Sequence, residues 1–283
     1  LDILVRDAMV SDVAYVSLPG TRDKVLKVLN ERHVSGVPVV KNSTVVGMVT
    51  RTDLLRNPEE DQIAMLMTRN PYVVHPEDRL VDAAKLFVEK RVRRLPVVED
   101  GRLVGIISVA DIVRVIATLN IDETIDKYFE RNVVAVWSEM PLPVVGAIME
   151  YAGVQACPVI DTDLQLVGIV TDRDLIAKSV VEESLEKADA DTAPEMDEWS
   201  WESQKEAISR YYQVSKIRLK DVKVREAMVP PIIALRSSRV SECARIMSQK
   251  RIDQMPVVNA HRKLIGMLND HNLLLPFISA YGR

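Results

Sequence analysis

Residues 96–111 read Pro96-Val97-Val98-Glu99-Asp100-Gly101-Arg102-Leu103-Val104-Gly105-Ile106-Ile107-Ser108-Val109-Ala110-Asp111, and this stretch decides the fold because its skeleton occurs four times. Pro38-Val39-Val40, Pro158-Val159-Ile160 and Pro256-Val257-Val258 align with Pro96-Val97-Val98. Gly47, Gly168 and Gly266 then align with Gly105. Each glycine precedes two apolar residues and a polar one, which is Thr50, Ser108, Thr171 or Asn269. Self-similarity of this kind marks one supersecondary unit used repeatedly. The proline markers lie 58, 62 and 98 residues apart, so the last interval carries an insertion.

Periodicity gives each unit the same internal order. A short extended stretch such as Ala14-Tyr15-Val16 or Tyr72-Val73-Val74 comes first. An amphipathic helix follows, with Leu80, Ala83, Ala84, Phe87 and Val88 at helical spacing in the second copy. The Pro-Val-Val segment and the segment through the glycine are then two strands of a hairpin. Their turn is a polar patch such as Glu99-Asp100-Gly101. A second helix starts at the Thr or Ser and continues through Leu54-Leu55, Ile112-Val113, Leu175-Ile176 or Leu273-Leu274. The order is strand, helix, strand, strand, helix.

Composition narrows the function classes. Hydrophobic residues make up 47% and charged residues 28% of the 283 residues, a globular balance. No apolar run approaches the roughly 18 residues of a membrane span. Leu1 to Asp7 lack the basic start and apolar core of a secretory signal, so a cytoplasmic protein with no membrane partner is expected. Cys157 and Cys243 sit among apolar neighbours and read as core thiols. His33, His75, His261 and His271 are scattered, without metal-ligand spacing. No nucleophile with an adjacent base and no phosphate-cradling Gly-x-x-x-x-Gly-Lys-(Ser/Thr) loop occurs, so the chain does not read as an enzyme. The net charge of −4 speaks against a nucleic-acid footprint. Glu182 to Glu206 holds ten acidic and two basic residues together with Trp199 and Trp201, and is expected to pack on the repeats or meet a partner.

The (Ser/Thr)-x-x-Asp ending has two readings: Thr50 with Asp53, Ser108 with Asp111, Thr171 with Asp174. It is close to a capping box, in which hydroxyl and carboxylate satisfy free N–H groups at a helix start. The same helix start can receive a phosphate, with the hydroxyl donating to it and the carboxylate accepting from a ribose diol. The fourth copy, Asn269-Asp270-His271-Asn272, keeps a capping residue and loses the carboxylate. Lys90-Arg91-Val92-Arg93-Arg94 reads either as a basic helix end or as a phosphate-binding cluster.

Through Pro-Val-Val, the hairpin and the Gly-apolar-apolar-(Ser/Thr)-x-x-Asp ending, the sequence resembles the cystathionine-beta-synthase (CBS) domain family. The resemblance covers nearly the whole chain, missing chiefly residues from about 180 to 220. It implies an α/β fold of four repeats in two pseudo-twofold pairs forming a disc, as in the gamma subunits of AMP-activated protein kinase. Residues 1–116 are the expected first pair, with repeats at about 1–57 and 60–116. Residues 117–283 are the second, with repeats at about 121–180 and 221–283 and the insertion at about 181–220.

The resemblance also implies a ligand and its site. Asp111 would hold ribose hydroxyls, with Ser108, Arg93 and Arg94 on phosphate. Ala14, Val34, Ser35 and Gly36 of the first repeat would hold the adenine. At the pseudo-symmetric site Thr50 and Asp53 would act with Ser35 in place of an arginine, giving weaker phosphate binding. Thr171 and Asp174 would face a base pocket near Ile233 and Ile252. There Gln155 and Ala156 stand where Arg93 and Arg94 stood, and Arg173 is the available compensating cation. The implied function is a regulator sensing AMP, ADP or ATP through the packing of its repeats, with an unidentified target protein. The alternatives are a sensor of S-adenosylmethionine or methylthioadenosine, and a nucleic-acid-binding or interaction scaffold. The chain would act as a monomeric disc or as a homodimer that completes one.

Overall fold

The computed structural model describes residues 3–32, 34–57, 60–171, 174–175 and 222–282. The acidic stretch with Trp199 and Trp201, and Arg173, lie outside them. The first repeat follows a short helix α1 (Val5–Ala8) and contains β1 (Val16–Ser17), α2 (Arg22–Glu31), β2 (Gly36–Lys41), β3 (Thr44–Thr50) and α3 (Arg51–Arg56). After α4 (Ile63–Leu66) and β4 (Thr68–Arg69), the second contains α5 (Leu80–Lys90), β5 (Arg94–Glu99), β6 (Arg102–Ser108) and α6 (Val109–Ile116). The third contains β7 (Val136–Trp137), α7 (Leu142–Ala152), β8 (Ala156–Ile160) and β9 (Leu166–Thr171). The fourth contains β10 (Ala234–Leu235), α8 (Val240–Lys250), β11 (Gln254–Val258) and β12 (Leu264–Asn269). A 3-10 turn (Asp270–Leu273) then leads into α9 (Leu274–Tyr281).

The first repeat shows the order strand, helix, strand, strand, helix that periodicity predicts; in the third, the described elements follow it as far as β9, and Ile176 of its expected second helix lies outside the described residues. In the second repeat the first strand shrinks to a single parallel bridge, Val74 to Val97. Helix α5 buries Leu80, Ala83, Ala84 and Phe87 completely, each large apolar side chain contributing about 1.5–3 kcal/mol. Asp100 and Gly101, at φ 48° and 77°, make the tight turn between β5 and β6. Two successive positive φ values define the hairpin turn whose twist matches that of its strands.

The chain divides into two compact units. One comprises Leu1–Phe129, Ser237–Asp253 and Asn269–Arg283; the other comprises Glu130–Arg236 and Gln254–Leu268. In the first, one sheet runs β1-β2-β3-β6-β5, with β4 also on β3. β1 is parallel to β2, with Val16 opposite Val39, and the β2–β3 hairpin pairs Val37 with Val49. Thr44 opposite Arg102 joins the hairpins of the first and second repeats. Helix α8 packs on α6 and α9 on α5, so the fourth repeat lends its helices to this unit. The second unit contains the three-stranded sheets β7-β8-β9 and β10-β11-β12.

A crossed pairing accounts for the glycines of the first three repeats. Val10, ahead of β1 in the first repeat, bridges Ile106 on β6, while β4, ahead of α5 in the second, pairs with β3 at Gly47 and Met48. The other unit repeats the device, with Val229 bridging Ile169 and Glu130 bridging Met267. Three of the crossing segments bring a methionine onto a glycine. A Cβ on Gly105 would stand 2.6 Å from the Met9 sulfur, and one on Gly47 2.5 Å from that of Met67. Met228 meets Gly168 in the same way. Close packing leaves no room for a side chain at these positions.

Both cysteines are fully buried thiols, as their apolar surroundings predict. Among the described residues no helix is long and apolar enough to cross a membrane.

Candidate functional site

The hairpin and the helix after it place the candidate residues. Ser108 ends β6 in extended conformation and caps α6, with Asp111 at the third helical position. The Asp111 carboxylate accepts from the Ser108 N–H at 2.8 Å and from its hydroxyl at 2.6 Å through one oxygen. Arg114 donates to the other oxygen at 2.7 Å. Thr50 and Asp53 repeat the arrangement at 2.8 and 2.6 Å, and Thr171 and Asp174 at 2.8 and 2.7 Å. All three endings are therefore capping boxes. In the fourth repeat the Asn272 amide oxygen accepts from the Asn269 N–H at 2.7 Å, so capping survives the loss of the carboxylate.

Asp111 differs from an ordinary cap in its burial, at 5% exposure, and in its surroundings. Arg93 and Arg94 lie at the start of β5, next to the start of α6. The link is direct: the Val109 N–H donates to the Arg93 carbonyl at 3.2 Å. Arg94 donates to the Ser35 hydroxyl, which brings together one residue expected at phosphate and one expected at the base, from two repeats. Burial holds the Arg94 pKa below the usual guanidinium range, with the charges of Arg93 and Arg51 acting in the same direction and those of Asp111 and Asp270 opposing. Among the described residues no carboxylate pairs with Arg94. Its partner is a neutral hydroxyl.

Arg93 has a different partner. It donates to both oxygens of Asp270, at 3.1 and 2.7 Å, and its terminal nitrogen lies 3.7 Å from Asp253. Burial raises the Asp270 pKa and Arg93 pulls it back.

The base-side residues lie on the first repeat, Val34 to Gly36 at the entry to β2 and Ala14 just ahead of β1. Ala14, Val34 and Ser35 are half-buried and Gly36 is buried. The Ser35 carbonyl accepts from the Arg51 N–H at 3.0 Å, tying this segment to the start of α3. A Cβ on Gly36 would come within 2.9 Å of the Thr50 methyl, so the chain passes the Thr50 cap closely only as glycine. Gln155 is exposed, Ala156 is buried, and Ile233 and Ile252 are half-buried.

Sequence reasoning did not find Arg51, Arg114 or Asp270. Arg51 and Asp270 occupy one repeat position, directly after the capping residue, where the second repeat has Val109. Arg93 and Asp253 share another, three residues before the proline. Opposite charges at equivalent positions of two repeats were the available signal.

The chain belongs to the CBS domain family, which matches residues 5–60, 62–118, 125–180 and 221–276. It is a four-repeat member. The uncharacterized protein MJ1225 of Methanocaldococcus jannaschii is 28% identical over 191 residues, covering 61% of this chain and 68% of that protein. The CBS domain-containing protein YhcV of Bacillus subtilis is 30% identical over 114 residues, or 38% of this chain and 81% of YhcV. The crystal structure of an uncharacterized conserved protein from Pyrococcus horikoshii superposes with a TM-score of 0.71 at 26% identity, covering 96% of this chain and 99% of that one. The crystal structure of MJ1225, described as a proposed archaeal homolog of g-AMPK, gives 0.70 at 22% identity over 97% and 100% of the two chains. That likeness shows the fold.

Proposed function

We propose that the chain is a regulatory protein that binds an adenine nucleotide between its first two repeats. The observation that carries the reading is Arg94. A half-buried guanidinium is partly desolvated, and this one donates to a hydroxyl, with two further arginines nearby and the carboxylates of Asp111 and Asp270 only partly offsetting them. A phosphate at the start of α6 supplies the missing charge, aided by the helix N-terminus and the Ser108 hydroxyl. Asp111, held by its own cap, accepts from the ribose diol, which requires the exposed Arg114 to give way. Ala14, Val34, Ser35 and Gly36 hold the adenine, as the family resemblance implies.

The pseudo-symmetric site at Thr50 and Asp53, and the site at Thr171 and Asp174, bind phosphate more weakly. The first has Ser35 and the second Gln155 where the second repeat has Arg93. Regulation follows if the ligand binds one packing of the repeats better than another, the shift being limited by that difference in affinity. The read-out is a target protein in the cytoplasm, with residues 1–116 and 117–283 acting as the two repeat pairs.

Calorimetric titration of ligand-stripped protein with AMP, ADP, ATP and S-adenosylmethionine tests the reading. Saturable binding of a phosphorylated nucleotide, weakened by Asp111→Ala, supports it. Binding of S-adenosylmethionine alone keeps the adenosine half and removes the phosphate half. Binding of none leaves the capping boxes as caps and the protein as an interaction scaffold.

A further inference from the structure

The fork of Arg93 is already occupied. Its two terminal nitrogens lie 3.1 and 2.7 Å from the two oxygens of Asp270, the parallel arrangement by which arginine holds a carboxylate or a phosphate. The Asp270 side chain is 4% exposed and that of Arg93 47%, so the carboxylate is the buried member of the pair. Asp270 stands at the head of the 3-10 turn of the fourth repeat, where its N–H donates to the Asp253 carbonyl at 2.8 Å. Besides Arg93, the His271 N–H donates to its carboxylate at 2.8 Å. Meanwhile the Arg93 carbonyl is fixed at the entry to α6 by Val109, next to Ser108 and Asp111. Arg93 thus belongs by its backbone to the site between the first two repeats, and by its side chain to the fourth.

We infer that Asp270 is a resident anion of the nucleotide site: it fills the guanidinium fork that a phosphate bound by Ser108 and Arg94 would otherwise take. The fourth repeat, which lost its own ribose carboxylate, thereby sets how tightly phosphorylated ligands bind between the first and second. This rests on the nucleotide reading above. A phosphate that takes the fork leaves Asp270 buried without its partner, an unfavourable state, so the resident carboxylate lowers phosphate affinity. Adenosine, which carries no phosphate, does not compete with it. Asp270→Asn keeps the shape of the side chain and an acceptor for the His271 N–H while removing the charge.

The test is calorimetric titration of wild type, Asp270→Asn and the double variant Arg93→Ala/Asp270→Asn with inorganic pyrophosphate, AMP and adenosine, each protein first checked for a cooperative thermal transition. Asp270→Asn is expected to bind pyrophosphate and AMP about tenfold more tightly, the size of one charge-assisted hydrogen bond gained. Adenosine affinity should not change, and the gain should vanish in the double variant. Unchanged or weaker pyrophosphate binding by Asp270→Asn overturns the inference, as does a gain that survives loss of Arg93. Asp270→Ser serves the same purpose if the asparagine variant does not fold. Should AMP and adenosine both fail to bind wild type, the nucleotide reading falls, and the pyrophosphate comparison still decides the role of Asp270.

Discussion

The hydroxyl of Ser35, ahead of β2, accepts a hydrogen bond from Arg94, at the start of β5, and so ties the first repeat to the second at the candidate site. A neutral acceptor stabilises a half-buried cation less than a carboxylate does, and desolvation, with the Arg93 charge beside it, holds the Arg94 pKa below the usual guanidinium range. Replacing it with methionine removes a desolvated charge and keeps the aliphatic stem. Arg94→Met is therefore expected to leave the ligand-free protein as stable as wild type or more so, by thermal melt. Its AMP affinity should fall by about 1.5–3 kcal/mol, more than tenfold, by calorimetry. A variant that melts earlier and binds AMP normally would make Arg94 a structural residue.

Asp111 serves both a cap and, on the proposed reading, a ribose, and the fourth repeat shows how to separate them. There Asn272 accepts from the Asn269 N–H at 2.7 Å, matching the 2.8 Å contact of Asp111 with Ser108. Asp111→Asn should thus keep the cap and lose the charged acceptor for the diol. Its melting temperature is expected to stay close to wild type, whereas Asp111→Ala loses about 1 kcal/mol of cap stabilisation. Both variants should bind AMP at least tenfold more weakly, by about 1.5 kcal/mol or more. Equal nucleotide affinity in wild type and Asp111→Asn would leave the ending as a cap alone.

Gly105 tests the crossed pairing of the two repeats. A Cβ there would sit 2.6 Å from the Met9 sulfur and 3.3 Å from the Val10 carbonyl oxygen, on a segment whose backbone bridges Ile106. The flexible sulfur can yield; the carbonyl cannot without stretching the bridge. Gly105→Ala is expected to cost about 1–3 kcal/mol in urea unfolding, part of which returns in Gly105→Ala/Met9→Ala. No recovery in the double variant would assign the cost to the backbone contact.

The repeat was legible because its parts are local. Hairpin turn, helix period and capping box each lie within a few residues, and the alignment of Pro96 with its three counterparts fixed their order. The burial of Phe87 followed from spacing alone. What sequence could not give was the partner of each charge. Arg93 and Asp270 are 177 residues apart and meet only because α8 and α9 pack on α6 and α5. Arg114 was hidden for a different reason. An arginine three residues after an acid on a helix reads as an ordinary exposed pair, and only the burial of Asp111 sets this one apart.

The two thiols give a handle on folding that is independent of any ligand. Burial pushes the Cys157 pKa up to about 11 and that of Cys243 to about 12, with the Glu242 charge adding to the latter and a hydrogen bond with Ser238 opposing it. Both stay protonated in the folded chain while the unfolded chain ionises near the ordinary thiol value. Stability linked to them is therefore complete below about pH 8.5 and is lost as pH rises toward the folded values. Iodoacetamide at about pH 8 should modify neither thiol in native protein over a period that labels both in urea, because only the exposed thiolate reacts. In urea melts, the advantage of wild type over Cys243→Ala should shrink between about pH 8 and about pH 10. An advantage that stays constant over that interval would mean that the Cys243 thiol ionises alike in the folded and unfolded chains.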